Sequence, residues 1–532
     1  MINKLYFDKA NYNNLDNIKL FLDSDNKRKV LIEIYKFDEK VSSFSIELST
    51  GLNTINLGPF DSVIAGYRVF INCDEKLYTA VFSIDSKQEI IRYGFLSDFE
   101  KEDNDYDISW MKDNHINYVQ FYDWSYHHDD MVAKTIEYND SMGKANNLNV
   151  IKNKIISCQN NGMKAMAYGP IYAATKEYYN NHKEDAYYAI ENKPLSFIDT
   201  FYFMNISKDC NWRNHIINEY NKSISKVGFD GIHLDTYGYP KRALDYNGDV
   251  KELDSEILSF LEQVSTDLDD AKLIFNNVGA WPLTKEIGDT QSAVYIEVWP
   301  PYESFYNLRE IINKAKENYK PVIISAYIAS FRLDRERALY SALFTTFYIN
   351  SIGATHLFLG EEGCVITQGY YCDYSKLRDF EKDIIKRYQD FFVSYQDIIY
   401  DKRLKDVTMT HCGWDNQEYI VEGNYSLTAE KNHISVNIRA NKNKHLISLI
   451  NLENNDNFWN LGKEEPLLSS KLKFKVQVLK SVSKLYLLDP ENNSYLPIAL
   501  DYKQYKGDRS NVIEFEVPPF KLGSIVYIEE QN

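Results

Sequence analysis

Between about residues 91 and 391, short apolar segments alternate with longer amphipathic ones, and no other feature restricts the fold of this chain so strongly. The strand-length segments are IRYGFL (91–96), NYVQFYDW (117–124), KAMAYG (164–169), GIHLD (231–235), LIFNNVG (273–279), VYIEVW (294–299), PVIISAYI (321–328) and THLFLG (355–360). Helical spacing falls between them. Leu253, Ile257, Leu258, Leu261, Val264 and Leu268 form one face; Phe305, Leu308, Ile312, Ala315 and Tyr319 form another, with Ser304 as its N-cap. Leu377, Phe380, Ile384, Tyr388 and Phe391 mark a last helix. Eight strand-then-helix units predict a (β/α)8 barrel, a fold whose chemistry sits at the carboxyl ends of its strands. The longest insertion, roughly 170–207, follows the third strand.

The flanks read differently. LIEIYKF (31–37), SFSIEL (43–48) and YRVFI (67–71) are strands separated by Gly51, Gly58-Pro59 and Gly66. ISVNIRA (434–440), HLISLINL (445–452), KFKVQVL (473–479) and SIVYIE (524–529) repeat the pattern near the other end. Short strands at such spacing suggest β-sandwiches. The expected organisation is an N-terminal, immunoglobulin-like β-sandwich over 1–88, the barrel over 89–401 and a C-terminal β-sandwich over 402–532.

Composition narrows the function. The chain has 532 residues and a formal net charge of −17, which argues against a broad grip on nucleic acid or anionic lipid. No run approaches the roughly 20 apolar residues needed to span a bilayer. The first residues, MINKLYFDKANYNN, carry no signal-peptide pattern. The expectation is a cytoplasmic protein, or a secreted one if a leader has been removed. The six cysteines are scattered, with no CxxC, which fits reduced thiols rather than a zinc site or a disulfide framework. Tyrosine is abundant, at 42 residues; its flat apolar face and polar tip suit a wet groove for a hydroxyl-rich ligand, although AT-rich coding also yields tyrosine.

The strand ends carry the polar groups. The fourth ends in Asp235 and the sixth in Glu297, both in apolar or aromatic surroundings. A strand-end Asp is often a turn former or an N-cap. A lone Glu between Ile296 and Val298 is harder to explain structurally, since an unpaired buried carboxylate is costly. Strands four and six have one strand between them, so their ends can face each other across the mouth. Two carboxylates flanking a sugar ring are the minimal machinery for glycosidic cleavage. Around them stand Asp123 with Trp124 and His127-His128, then Tyr168, Asn276-Asn277, Trp299, Tyr327, His356 and Glu361-Glu362. Adjacent histidines on a strand point apart, which disfavours a metal pair. His233 lies two residues before Asp235, on the same side of its strand, where it can bond the Asp or fill the interior.

The segments IRYGFLSDF, NYVQFYDWSYHH, AYGPIYA, GFDGIHLDTYG, YIEVWP and GATHLFLGEE occur in order over about 91–363. They resemble glycoside hydrolase family 66, the dextranases and cycloisomaltooligosaccharide glucanotransferases. The resemblance implies an endo-acting, retaining enzyme on α-1,6-linked glucan, with Asp235 as nucleophile and Glu297 as general acid/base. It implies that Asp123, Tyr168, Trp299, His356 and Glu361 line the sugar groove; His233 and Asn277 join them as candidates. No metal or other cofactor is expected in the catalytic step. The absence of a domain-sized insertion in the barrel favours hydrolysis over cyclisation. Two rivals stand beside the hydrolase: a transglycosylase using the same residues, and a glucan-binding protein without activity.

Overall fold

The computed structural model describes residues 2–73, 76–101, 106–507 and 510–531. Its centre is an eight-stranded parallel sheet: β1 (Tyr93–Leu96), β2 (Tyr118–Phe121), β3 (Lys164–Pro170), β4 (Gly231–Asp235), β5 (Lys272–Val278), β6 (Ala293–Glu297), β7 (Val322–Ser325) and β8 (Thr355–His356). The strands pair in sequence order. A parallel bridge from Phe95 to Gly360 and a hydrogen bond from the Thr355 hydroxyl to the Ile91 carbonyl join the last strand to the first. The sheet is therefore a nearly closed barrel. Each strand is followed by a helix: α1 (Tyr106–Asp113), α2 (Leu148–Asn160), α3 (Asn211–Lys222), α4 (Leu253–Asp267), α5 (Lys285–Asp289), α6 (Phe305–Lys316), α7 (Ala338–Ser351) and α8 (Asp379–Ser394).

All eight expected barrel strands are present, though the outer ones are shorter than their apolar runs. In α4, Leu253, Ile257, Leu261 and Val264 are buried as the periodicity predicts. The Ser304 hydroxyl accepts from the Asn307 amide and the Asn307 side chain accepts from the Ser304 N–H, a reciprocal cap that starts α6. The expected face of α8 is corrected in its first turns, while Leu377, Tyr388 and Phe391 are buried as expected. Phe380 is exposed, and Glu381, Ile385, Tyr388, Phe391 and Phe392 face inward. A polar anchor sets this rotation: Arg335 donates to both Glu381 oxygens, at 2.6 and 2.5 Å.

Antiparallel sheets cover the barrel on two sides. Near the N-terminus a three-stranded sheet (Ile2–Phe7, Lys19–Ser24, Gly51–Asn56) faces a four-stranded one (Arg28–Lys36, Glu39–Leu48, Ile64–Cys73, Lys76–Asp85). Leu20, Leu22, Ile32, Ile34, Val69 and Ile71 form their shared core. Ile64–Cys73 is buried on both faces, because its outer face lies against α8. Near the C-terminus two further antiparallel sheets share a core of Val436, Ile438, Ile447, Leu449, Phe474, Val476 and Val526. Strand Leu472–Val478 alternates buried and exposed, whereas Ile434–Ala440 is buried on both faces save its last residue. Strands Lys444–Asn451 and Gly523–Glu530, of the same sheet as Ile434–Ala440, pack on α7. That helix, ALYSALFTTFYINS, is apolar nearly all round and buried nearly all round.

All six cysteines are free. Among the described residues no helix is long and apolar enough to cross a membrane.

Gly66 marks the tightest contact between the N-terminal sheet and α8: a Cβ there would stand 1.8 Å from the Val393 carbonyl oxygen. Gly66→Ala is therefore expected to lower stability by about 1–3 kcal/mol through overpacking, read as a fall in the thermal midpoint.

Candidate active site

The barrel mouth draws its side chains from strand parity. On β4, His233 and Asp235 point inward; on β6, Tyr295 and Glu297 do. Below the mouth the interior is aromatic. The Tyr93 hydroxyl lies 3.2 Å from His233 Nδ1, and the Tyr295 ring meets the His233 ring edge-on at 4.8 Å. Burial pushes the His233 pKa down to about 3, so the imidazole is neutral filler beneath Asp235 and makes no bond to it.

Above this layer the two carboxylates meet. One Asn276 amide group donates to Asp235 Oδ1 at 2.7 Å and to Glu297 Oε2 at 2.9 Å. Those two oxygens therefore cannot lie farther apart than the sum of the two bonds, about 5.6 Å. Tyr168 donates to Asp235 Oδ2 at 2.8 Å, and Tyr327 donates to Glu297 Oε1. Both acids keep some solvent contact. Burial and the Glu297 charge push Asp235 up to about 7, against the Asn276 and Tyr168 donors. Burial raises Glu297 as well, against the Tyr327, Asn276 and Trp299 donors. Two such groups titrate as a unit, and their mutual repulsion favours a shared proton over two bare charges.

Aromatic rings wall the pair. Tyr122 stacks on Tyr371 at 4.5 Å and meets Tyr168 edge-on at 5.3 Å. Trp299 is 41% exposed and meets Tyr327 edge-on at 5.7 Å. A Cβ on Gly369 would stand 3.4 Å from the Trp299 ring and 3.5 Å from Glu297 Oε1, so glycine leaves the cleft open beside the acid. The insertion after β3 adds a wall, in which Phe197 and Phe203 each stack on Tyr237.

The sequence-derived candidates separate into two groups. Asp235, Glu297, Tyr168 and Trp299 come together here. Asp123 lies near them: burial, then Asp140, then Asp235 push it up to about 7. Asn277 is corrected in favour of its neighbour, because parity turns it away from the mouth and its amide donates to the Phe275 and Tyr295 carbonyls. His356 leaves no ring nitrogen for a ligand: Nε2 lies 2.9 Å from the Ala326 carbonyl and Nδ1 2.9 Å from the Thr346 hydroxyl. Glu361 is 3% exposed and accepts from the Ser97 N–H, the Ser97 hydroxyl and the Asp98 N–H, which pins the turn after β1. The adjacent histidines diverge as expected, His127 stacking on Tyr126 and His128 on Phe201. Asn276 and Tyr327, which the sequence offers at the fifth and seventh strand ends, join the pair, and parity along β5 singles out Asn276 over Asn277. Tyr371 and Gly369 lie beyond the last strand, where spacing gives no signal.

A nearly closed parallel barrel with two opposed carboxylates at its mouth defines the chain as a carbohydrate-active enzyme of the barrel type. The model of the family described as Glycosyl hydrolase family 66 matches residues 7–527, and the chain belongs to that family of glycoside hydrolases and transglycosylases. Two cycloisomaltooligosaccharide glucanotransferases from Niallia circulans are similar in sequence. One is 25% identical over 370 residues, covering 62% of this chain and 38% of the relative. The other is 20% identical over 602 residues, covering 83% and 62%. The chain thus spans less than two thirds of the length of either. A solved Paenibacillus sp. cycloisomaltooligosaccharide glucanotransferase, complexed with cycloisomaltoheptaose, shares the fold with a TM-score of 0.88 at 18% identity over 99% of each chain. A maltogenic α-amylase from Thermotoga neapolitana matches more loosely, at a TM-score of 0.51 and 11% identity over 82% of this chain and 99% of its own.

A carboxyl with a raised folded pKa binds its proton more tightly in the folded state, so its stabilising share is complete at low pH and is lost as pH rises through the folded value. Asp235→Asn is therefore expected to melt a few degrees above the parent at pH 8, with the gap closing between about pH 7 and the ordinary Asp value of 3.8. Thermal melts of both proteins across that range measure the difference.

Proposed function

We propose that this protein cleaves α-1,6-glucosidic linkages of dextran or isomalto-oligosaccharides by double displacement, with Asp235 as nucleophile and Glu297 as general acid/base. The observation that carries the reading is the Asn276 bridge. It sets the facing oxygens no more than about 5.6 Å apart. Retaining enzymes hold their carboxyl groups about 5–5.5 Å apart, whereas inverting ones need about 6.5–9.5 Å to admit a water. Asp235 attacks the anomeric carbon as Glu297 gives its proton to the departing oxygen. The covalent glycosyl-enzyme is then opened by an acceptor hydroxyl that Glu297 deprotonates. Tyr168 and Asn276 support ionised Asp235, and Tyr327 and Asn276 do the same for Glu297, so the first step draws on the state in which Glu297 carries the shared proton. Loss of the negative charge on Asp235 when the glycosyl bond forms removes its repulsion of Glu297, which eases the return of Glu297 to the base role.

The acceptor decides the product. The relatives are named glucanotransferases, which favours a sugar hydroxyl and hence cyclic or longer isomalto-oligosaccharides. Hydrolysis is the second reading, favoured by the described barrel, in which the longest excursion is the short sheet-and-helix insertion after β3. A purely glucan-binding role is disfavoured, since binding needs no pair of half-buried acids with raised pKa values. Trp299 and the Tyr122–Tyr371 stack would supply sugar platforms, and Asp123 would bond sugar hydroxyls. We also propose the modular boundaries 1–88, 89–401 and 402–532, with a (β/α)8 barrel between two β-sandwiches.

Asp235→Asn is expected to cut turnover of dextran at least 10³-fold while leaving the fold intact, and a 2-fluoro isomaltosyl probe is expected to label Asp235 in the parent, read by peptide mass spectrometry. Unchanged turnover in Asp235→Asn would refute the mechanism. Chromatography of the dextran products separates the readings: cyclic or lengthened chains mark transfer, and short linear chains mark hydrolysis.

A further inference from the structure

The end of the barrel away from the active site holds an unusual charge arrangement. Arg439, on the C-terminal strand Ile434–Ala440, is 1% exposed. Its Nη2 donates to the Ser351 carbonyl at 2.8 Å, but its Nε and Nη1 are buried with no hydrogen-bond partner. Lys316, the last residue of α6, approaches the same point; its Nζ donates to the Ile352 carbonyl at 3.0 Å. Gly353 lies between them. A Cβ built there would stand 2.5 Å from Arg439 Nη1 and 3.2 Å from Lys316 Nζ, so the two cationic groups are within about 5.7 Å of each other. The residue's φ of 88° also requires glycine.

Nearby carboxylates are engaged elsewhere. Asp401 is held by Arg403, and Asp406 by Asn313, Arg309 and the Thr408 N–H. Glu89 pairs with Lys402 at 3.3 Å. No carboxylate among the described residues forms an ion pair with Arg439 or Lys316. Burial, then the Arg439 charge, lower the Lys316 pKa, against the more distant pull of Asp406 and Asp401, neither of which bonds Lys316 or Arg439. Arg439, Lys316, Gly353, Tyr400 and Lys320, with the Glu89 and Asp401 carboxylates also on its wall, line a cavity of about 30 Å³, room for a water-sized guest or a small ion.

Unsatisfied buried donors are costly, and a buried guanidinium beside an ammonium more so. We propose that this cavity is a binding site for a monatomic anion of the chloride class, held by Arg439 Nε and Nη1 and by Lys316 Nζ. Bound there, the ion links the C-terminal sheet, the end of α6 and the turn that leads into β8. The site stands on its own observations and is independent of the catalytic reading.

The test compares thermal midpoints of the full chain in sodium chloride and in sodium gluconate at constant ionic strength. The parent is expected to gain several degrees in chloride, saturably, and Lys316→Met is expected to lose most of that gain. Equal midpoints in the two salts would overturn the proposal, since water would then satisfy the donors. Should Lys316→Met fail to fold, crystals of the parent grown in sodium bromide decide. An anomalous peak within hydrogen-bonding reach of Arg439 Nη1 and Lys316 Nζ supports the site, and its absence overturns it.

Discussion

One neutral amide does what neither acid can do for itself. Two carboxylates brought this close in a half-buried cleft repel each other, and each resists losing its hydration. The Asn276 NH₂ group, with a hydrogen for each, offsets part of both costs and fixes the separation at the same time. Tyr168 and Tyr327 then take the outward oxygens, so four acceptor atoms meet three donor side chains. The buried aromatic layer of Tyr93, His233 and Tyr295 gives the acids a floor, and the rings above bound the open space of the cleft. The proposed chemistry draws on that placement: a pair that shares a proton would both attack and protonate.

The scaffold accounts for how an asparagine comes to stand between an aspartate and a glutamate. Strands β4, β5 and β6 are consecutive; the register sets Asn276 level with Asp235 and with Tyr295, and Glu297, paired with Val278, stands one inward-facing step beyond, within reach of the Asn276 side chain. Each needs only the correct parity to point inward. Gly231 lets β5 approach closely at the other end of β4, where a Cβ would stand 1.9 Å from the Lys272 carbonyl oxygen. The site is thus built on strands rather than on loops, which holds it to a narrow range of geometry.

Much of this was legible in the sequence because buried parallel strands are short apolar runs and their ends must be polar for a reason. Asp235 and Glu297 stood out as acids in apolar company. The β-rich flanks showed through alternation. Other features escaped for physical reasons. Asn276 and Asn277 are chemically identical, and only the register decides which one faces in. Glu361 and His356 look like ligand groups because they are polar at the barrel rim, yet backbone donors, hydroxyls and carbonyls of the protein itself engage them. In the first turns of α8, Glu381 and Ile385 replace Phe380 and Ile384 on the inner face, because hydrophobic spacing cannot foresee Glu381 buried on Arg335.

The helix α7 carries a consequence for the architecture as a whole. A barrel helix ordinarily shows one stripe to the strands and a wet side to solvent, but this one is greasy around its full circumference. Removing the C-terminal sheets would strip its outer side bare, and the exposed aliphatic surface would invite self-association rather than leave an excisable catalytic core. For this chain, the appended sheet is the missing half of the barrel's own insulation.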